Sequence, residues 1–196
     1  MISVIIDNLY KKFDGTELFN GLSLEFISDH SYALISPSGS GKTTLLRLIS
    51  GLSKSFSGNI SFNIDGKRIL NPVISMVFQE DRLCEDFSAV DNILFATKLS
   101  KIKAYEELKC LLPESVLNKP IRKLSGGQRR RVCIIRALNI PEASIILMDE
   151  PFTGLDIESK KISCNYILNK KADRLLILST HDKDDIDLLG LTPINL

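Results

Sequence analysis

The sequence predicts an α/β fold: a mostly parallel sheet, with antiparallel strands ahead of it and a helical subdomain inserted within it. Three observations carry the prediction. Ser36-Pro37-Ser38-Gly39-Ser40-Gly41-Lys42-Thr43-Thr44 follows the short apolar run 32–35 and leads into a Pro-free stretch that stops at Gly51, which reads as strand, tight turn and helix. Residues 145–148 and 175–179 are wholly or almost wholly apolar, as strands covered on both faces of a parallel sheet are. From about residue 80 to residue 123 the β-type text gives way to helix-type text, broken by Pro113 and Pro120.

The remaining elements follow in order. Residues 2–6 and 22–26 read as strands, with Asp14-Gly15 and Asp29-His30-Ser31 as turns. Residues 59–64 alternate Ile60, Phe62 and Ile64 with polar side chains before Asp65-Gly66, a hairpin signal. Residues 73–78 form a further strand that ends at Gln79. Residues 90–99 and 104–112 are the helices of the insert, 80–123, within a single domain of residues 1–196. Residues 126–139 read as a helix whose apolar stripe is Val132, Ile135 and Leu138, at i, i+3 and i+6. Arg129, Arg130 and Arg131 are read as its solvated face, with a nucleic-acid patch as the rarer alternative. No internal repeat or low-complexity tract is present.

A chain of 196 residues can bury one full core. Lys and Arg number 25 against 24 Asp and Glu, a net charge of +1, so neither a basic surplus for nucleic acid nor an acidic tail is present. Cys84, Cys110, Cys133 and Cys164 have no Cys-x-x-Cys spacing and are expected to be reduced thiols. The start, Met1-Ile2-Ser3-Val4-Ile5-Ile6-Asp7, lacks a basic segment and a long apolar one, and no run approaches the ~18 apolar residues of a membrane span. The expectation is an intracellular chain whose membrane role, if any, is peripheral.

Each candidate side chain matches a task. In 36–44, Gly39 and Gly41 let main-chain amides approach a polyphosphate, Lys42 supplies a cation for its β and γ groups, and Thr43 offers a hydroxyl to Mg²⁺. Asp149 and Glu150 end a strand, so the pleat is expected to send them in opposite directions: Asp149 towards a metal, Glu150 towards an attacking water. His181 follows the last buried strand on the same sheet edge, in reach of a γ phosphate. Ser125, Gly126 and Gly127 open a helix and form an anion site that is far along the chain from Lys42. Gln79 ends a strand and opens the insert, as a hinge would. His30 is read as a surface residue.

Leu124-Ser125-Gly126-Gly127-Gln128, set between the phosphate loop and Asp149-Glu150, resembles the signature of the ABC ATPases, and nearly the whole chain follows that family's order. The resemblance implies a P-loop NTPase core that binds ATP and Mg²⁺. It implies that Phe13 stacks on adenine and that Ser36, Pro37, Ser38, Gly39, Ser40, Gly41, Lys42, Thr43 and Thr44 hold the phosphates. By the same likeness Gln79 is the Q-loop glutamine, Gly154-Leu155-Asp156 the D-loop and His181 the switch histidine. Glu150, His181 and Gln79 are then catalytic, Thr43, Gln79 and Asp149 attend the metal, and Ser125, Gly126, Gly127, Gln128 and Asp156 close on nucleotide held by a second subunit. Ser36 departs from the pattern, which has Gly there.

The resemblance further implies a peripheral ATP-hydrolysing subunit on the inner face of the cell membrane. Its partners are a second copy, transmembrane permease subunits and a solute-binding protein, and nucleic acid is not among them. An importer is favoured over an exporter, and Glu80-Asp81-Arg82-Leu83 is similar to text in importers of nitrate, sulfonates and taurine. Two other classes stay open at this level: a soluble ABC ATPase, and a regulatory partner that binds nucleotide but hydrolyses it poorly.

Overall fold

The structure is a computed structural model, and it describes residues 1–13 and 15–196. The chain forms two compact units. The first comprises Met1–Met76, Ala143–Asp149 and Asp173–Leu196; the second comprises Val77–Glu142 and Glu150–Ala172.

In the first unit, β1 (Ile2–Phe13) pairs antiparallel with β2 (Thr16–Ile27) on one side and β4 (Ser57–Ile64) on the other, and β5 (Lys67–Ile69) completes the order β2-β1-β4-β5. These strands run longer than the apolar runs suggest, because one face of an antiparallel sheet tolerates polar side chains. Strict alternation from Val4 and Ile6 would turn Asn8 inward. Instead the register shifts between Ile6 and Leu9, Asn8 takes the left-handed conformation (φ 48°), and Leu9 is the residue buried.

The second sheet holds β6 (Ile74–Val77), β7 (Ile145–Asp149), β8 (Leu175–Ser179), β3 (Ser31–Ile35) and β9 (Thr192–Asn195), in that spatial order. β3 is parallel to β8 and β9, and β7 is parallel to β8. Every residue of β7 and β8 is buried, as their apolar text predicts. Because Asp149 and Leu34 both lie opposite Ser179, the C-terminal ends of β7, β8 and β3 are level. Helix α1 (Lys42–Ile49) buries Leu45, Leu46, Leu48 and Ile49 in one cluster with Val4, Ile6, Phe26, Leu34, Ile145, Leu147 and Ile177. Each such side chain contributes about 1.5–3 kcal/mol, which anchors the turn ahead of α1.

In the second unit, α2 (Ala89–Ala96) opens on a reciprocal cap between Ser88 and Asp91, and Ser100 caps α3 (Lys101–Lys109). Single 3₁₀ turns follow Pro113 and Pro120. α4 (Gly126–Leu138) packs on α2, α3 and α5 (Ile157–Lys171), so two helices beyond the predicted insert share its unit. The last helix, α6 (Lys183–Leu189), belongs to the first unit and stops at left-handed Gly190.

Away from the α4 and α5 N-termini, a polar cluster ties three helices. Asn139, ending α4, donates to the Tyr166 hydroxyl at 2.9 Å; Tyr166 donates to Glu107 of α3 at 2.6 Å; Lys170 donates to the other carboxylate oxygen of Glu107. Burial pushes the Glu107 carboxyl up, but the hydrogen bonds from Lys170 and Tyr166 outweigh it and hold it below the ordinary carboxylate range. A carboxyl lowered in the folded state stabilises above its unfolded pKa and ceases to as the pH falls through the folded value. Glu107→Gln is therefore expected to cost on the order of 1–2 kcal/mol at pH 7 and much less near pH 3. Urea unfolding at both pH values measures this, and an equal cost at both would assign the effect to packing.

Candidate functional site

The turn between β3 and α1 is built to leave main-chain donors pointing outward. Gly41 precedes α1 with φ 101°, and no side chain caps the helix. A Cβ at Gly41 would stand 2.7 Å from Cζ of the buried Phe19, so both conformation and space demand glycine. Gly39 is also left-handed, at φ 86°. With the first turn of α1 uncapped, its amides and the positive end of the helix dipole favour an anion.

Lys42 is only 6% exposed, and its Nζ donates to the main-chain oxygens of Ser36 at 2.5 Å and Pro37 at 3.2 Å, so the ammonium spans the loop. The Ser40 hydroxyl is buried there without a hydrogen-bond partner. An orphaned hydroxyl beside a buried cation and an uncapped helix end fits a phosphate group. Thr43 and Thr44 stand half-buried in the first turn of α1, and Pro37 and Ser38 complete the loop.

Ser36 is not among the residues with positive φ, so its backbone does not need the glycine of the usual pattern. Its hydroxyl accepts from Leu196 N at 2.9 Å and donates to Leu196 O at 3.1 Å; only its main-chain oxygen meets Lys42.

Asp149, at the end of β7, is 2% exposed and accepts from Ser179 Oγ of β8 at 2.6 Å, which fixes one of its carboxylate oxygens. His181 is exposed just past β8. The buried Thr180 before it donates to Asp185 and accepts from Asp182 N at 3.1 Å, so the turn carrying His181 is held from both sides. Phe13, at the end of β1, is 67% exposed, as a stacking platform must be.

In the second unit, Gln79 is exposed, following Phe78, whose ring carries the Arg82 guanidinium at 3.9 Å. Glu150 requires a correction. The strand ends at Asp149 and Glu150 is left-handed at φ 45°, so Glu150 lies off the strand and the pleat does not set the direction of its side chain. For a residue with a Cβ that conformation costs about 1–2 kcal/mol. Thr153 N returns to Glu150 O at 3.3 Å, and Thr153 Oγ1 donates to the Glu150 carboxylate at 3.4 Å.

Ser125 caps α4: its hydroxyl accepts from Gln128 N at 3.2 Å while its own N–H donates to Gln128 Oε1 at 3.0 Å, so the Gln128 amide is engaged within the turn. A Cβ on Gly127 would lie 3.2 Å from both Gly154 O and Leu155 Cδ2, which sets the start of α4 directly on the loop before α5. Asp156 caps α5, accepting from Ser159 N at 2.8 Å and Ser159 Oγ at 2.9 Å, and these bonds, the first above all, hold its carboxyl below the ordinary range. A cleft of about 420 Å³ is lined by Gln79, Ser125, Gly126, Gly127, Gly154 and Asp156, among others.

The arginines of α4 overturn the solvated-face reading. Arg129 pairs with Asp81 at 3.1 Å, Arg131 donates to Leu111 O at 2.7 Å, and Arg130 is 3% exposed, reaching main-chain oxygens of Phe78, Gln79, Glu150 and Pro151. A guanidinium carries five donors on a long stem, so it satisfies carbonyls that other side chains cannot reach. The sequence did hold a sign of this: Arg130 shares a helix face with Cys133, Ile134 and Ala137, at i+3, i+4 and i+7, and all four are buried.

A family model described as ABC transporter matches residues 19–153. The sulfate/thiosulfate import ATP-binding protein CysA of Mesostigma viride is 36% identical over 196 residues, covering 94% of this chain and 56% of that protein. The spermidine/putrescine import ATP-binding protein PotA of Legionella pneumophila is 33% identical over 192 residues, covering 92% of this chain and 52% of that protein. The chain thus spans a little over half the length of the curated relatives it matches. A dimeric ATP-binding cassette in a post-hydrolysis state, bound to ADP and Pi, superposes with a TM-score of 0.78 at 26% identity over 100% of this chain and 94% of its own. An ABC transporter ATP-binding protein from Pyrococcus furiosus gives 0.81 over 99% and 97%, at an identity, 24%, that speaks for the fold alone. The match of the family model over most of a chain whose fold those structures share end to end makes this chain a member of the ABC transporter family.

Proposed function

We propose that the chain is the ATP-hydrolysing subunit of an ABC importer, working as a pair of copies beneath membrane-spanning permease subunits and supplied by a solute-binding protein. The observation that carries this reading is the loop 36–44, with its left-handed Gly39 and Gly41, uncapped α1, buried Lys42 and orphaned Ser40 hydroxyl. Triphosphate oxygens would satisfy those donors, and Phe13 would stack on the adenine. Mg²⁺ would be held by Thr43, Asp149 and Gln79 and would neutralise charge on the phosphates.

Glu150 takes a proton from a water whose oxygen attacks the γ phosphorus; the bond to the β–γ bridging oxygen breaks, and ADP and inorganic phosphate result. His181 steadies the γ phosphate. Ser125, Gly126, Gly127, Gln128 and Asp156 act on the nucleotide of the partner copy, which the dimeric form of the similar cassette supports.

Coupling to a membrane partner is supported by the import functions in the relatives' names and by an exposed aromatic pair, Phe87 and Phe95, edge to face at 5.0 Å. No helix among the described residues is long and apolar enough to cross a membrane, and we assign the chain to the inner membrane face as a peripheral subunit. The cargoes named for the relatives, an oxyanion and polyamines, carry opposite charge, as expected where other subunits choose the cargo.

Lys42→Ala is expected to weaken ATP binding at least about tenfold by calorimetry, since it removes the loop's buried cation; unchanged affinity would reject 36–44 as the phosphate site. Glu150→Gln is expected to keep that affinity while hydrolysis falls by about 10²–10⁴. Equal turnover in variant and parent would discard Glu150 as the base. Mixing Ser125→Arg with Lys42→Ala chains tests the shared site: each hybrid pair keeps one complete site, so two inactive preparations should regain ATPase when combined. If each site were built within one chain, mixing would restore nothing.

A further inference from the structure

Arg130 lines the same cleft as Gln79 and Ser125 and is the most deeply buried cation of α4. One edge of its guanidinium faces the segment that opens the insert: Nη1 donates to Phe78 O and, at 3.2 Å, to Gln79 O. The other edge faces the segment after β7: Nη2 donates to Glu150 O at 2.6 Å and Nε to Pro151 O at 3.2 Å. Asp81 Oδ1 stands 3.9 Å from Nη1 and offsets part of the charge.

Both ends of this bridge are main-chain oxygens of residues flanking or containing an assigned catalytic side chain. Glu150 is held at φ 45°, a conformation a non-glycine residue abandons unless its surroundings impose it, and two donors converge on its oxygen, Arg130 Nη2 and Thr153 N. Fixing the oxygens of Glu150 and Pro151 fixes the peptide planes on the C-terminal side of Glu150, and hence the direction of its Cβ. The same rigid fork fixes the peptide that follows Gln79. Arg130 sits five residues past Ser125, in the first turns of α4, so any shift of that helix end is passed to both segments through one planar group.

We propose that Arg130 is a positioning residue: from the helix that bears Ser125, Gly126 and Gly127, it sets the backbone that aims Glu150 and Gln79. The proposal rests on Glu150 acting as the base. Its consequence is a split between binding and turnover. The loop 36–44 keeps its own hydrogen bonds when Arg130 is replaced, so ATP affinity stays put, while a carboxylate turned out of line slows the chemical step.

Arg130→Lys and Arg130→Gln are the variants, prepared as the full chain and assayed with ATP and Mg²⁺. Lys keeps a buried cation on a flexible stem but cannot serve both edges of the fork; Gln keeps a polar group without charge. In both, kcat is expected to fall roughly 10- to 100-fold with KM and calorimetric ATP affinity within about twofold of the parent. In a Glu150→Gln background the same changes should slow the residual rate no further, because there is no base left to aim.

Parental kcat in either folded variant, or a loss confined to KM, would overturn the proposal. So would a further full loss in the Glu150→Gln background, which would place the action of Arg130 elsewhere. Failure of both variants to fold, read from circular dichroism and urea midpoints, would also count against it, by making the network a fold requirement and not a positioning device. Should Glu150→Gln alone turn over like the parent, the assignment of the base is what fails, and the two errors are thereby told apart.

Discussion

Level parallel pairing of β7, β8 and β3 is the constraint on which the first unit's chemistry depends. With Asp149 and Leu34 both opposite Ser179, three turns leave the sheet side by side: the loop 36–44, the end of β7 and the turn to His181. A slip of one residue in any of these strands would reverse the facing of its side chains and bury the wrong ones. That slip is opposed by the Asp149–Ser179 hydrogen bond at 2.6 Å, which forms only in this register. Packing of α1 into the same core then fixes the helix that follows the loop 36–44.

The second unit works by a different principle. Its helices begin at capped, closely packed turns: Ser125 with Gln128 on α4, Asp156 with Ser159 on α5, and Gly127 set against Gly154 O. At their far ends Asn139, Tyr166, Lys170 and Glu107 tie α4, α5 and α3 together. Between these lies Arg130, which donates to the main-chain oxygens of Phe78, Gln79, Glu150 and Pro151 in irregular segments. Loops held by a guanidinium can be precise without being strands, which matters where Glu150 must stay in a conformation its own side chain disfavours.

Much of this was legible in the text because local rules dominate where the chain is most constrained. The glycines of 36–44, the all-apolar β7 and β8, and Ser125 ahead of a helix each need a particular residue type for a steric or hydrogen-bonding reason, so composition reveals them. What stayed hidden depends on contacts between distant segments. The twelve-residue strands β1 and β2 extend past their apolar runs because one face of an antiparallel sheet accepts polar side chains, and in β1 the bulge at Asn8 also breaks the alternation. Glu150 was placed on a pleat since nothing in Asp149-Glu150-Pro151 announces a positive φ. The role of Ser36, which departs from the usual pattern, is hidden in the text because its partner, Leu196, is 160 residues away. Three consecutive arginines looked like a surface because a run of like charges hides which one shares the face of Cys133 and Ile134.

On the proposed function, hydrolysis of ATP by this chain requires a second copy. Its most direct test is phosphate release by the purified chain, with ATP and Mg²⁺, over a range of protein concentrations. The predicted rate per chain climbs with concentration and levels off once pairs predominate. A rate per chain that stayed constant down to clearly monomeric concentrations, or no ATP-dependent phosphate release at any concentration, would contradict it.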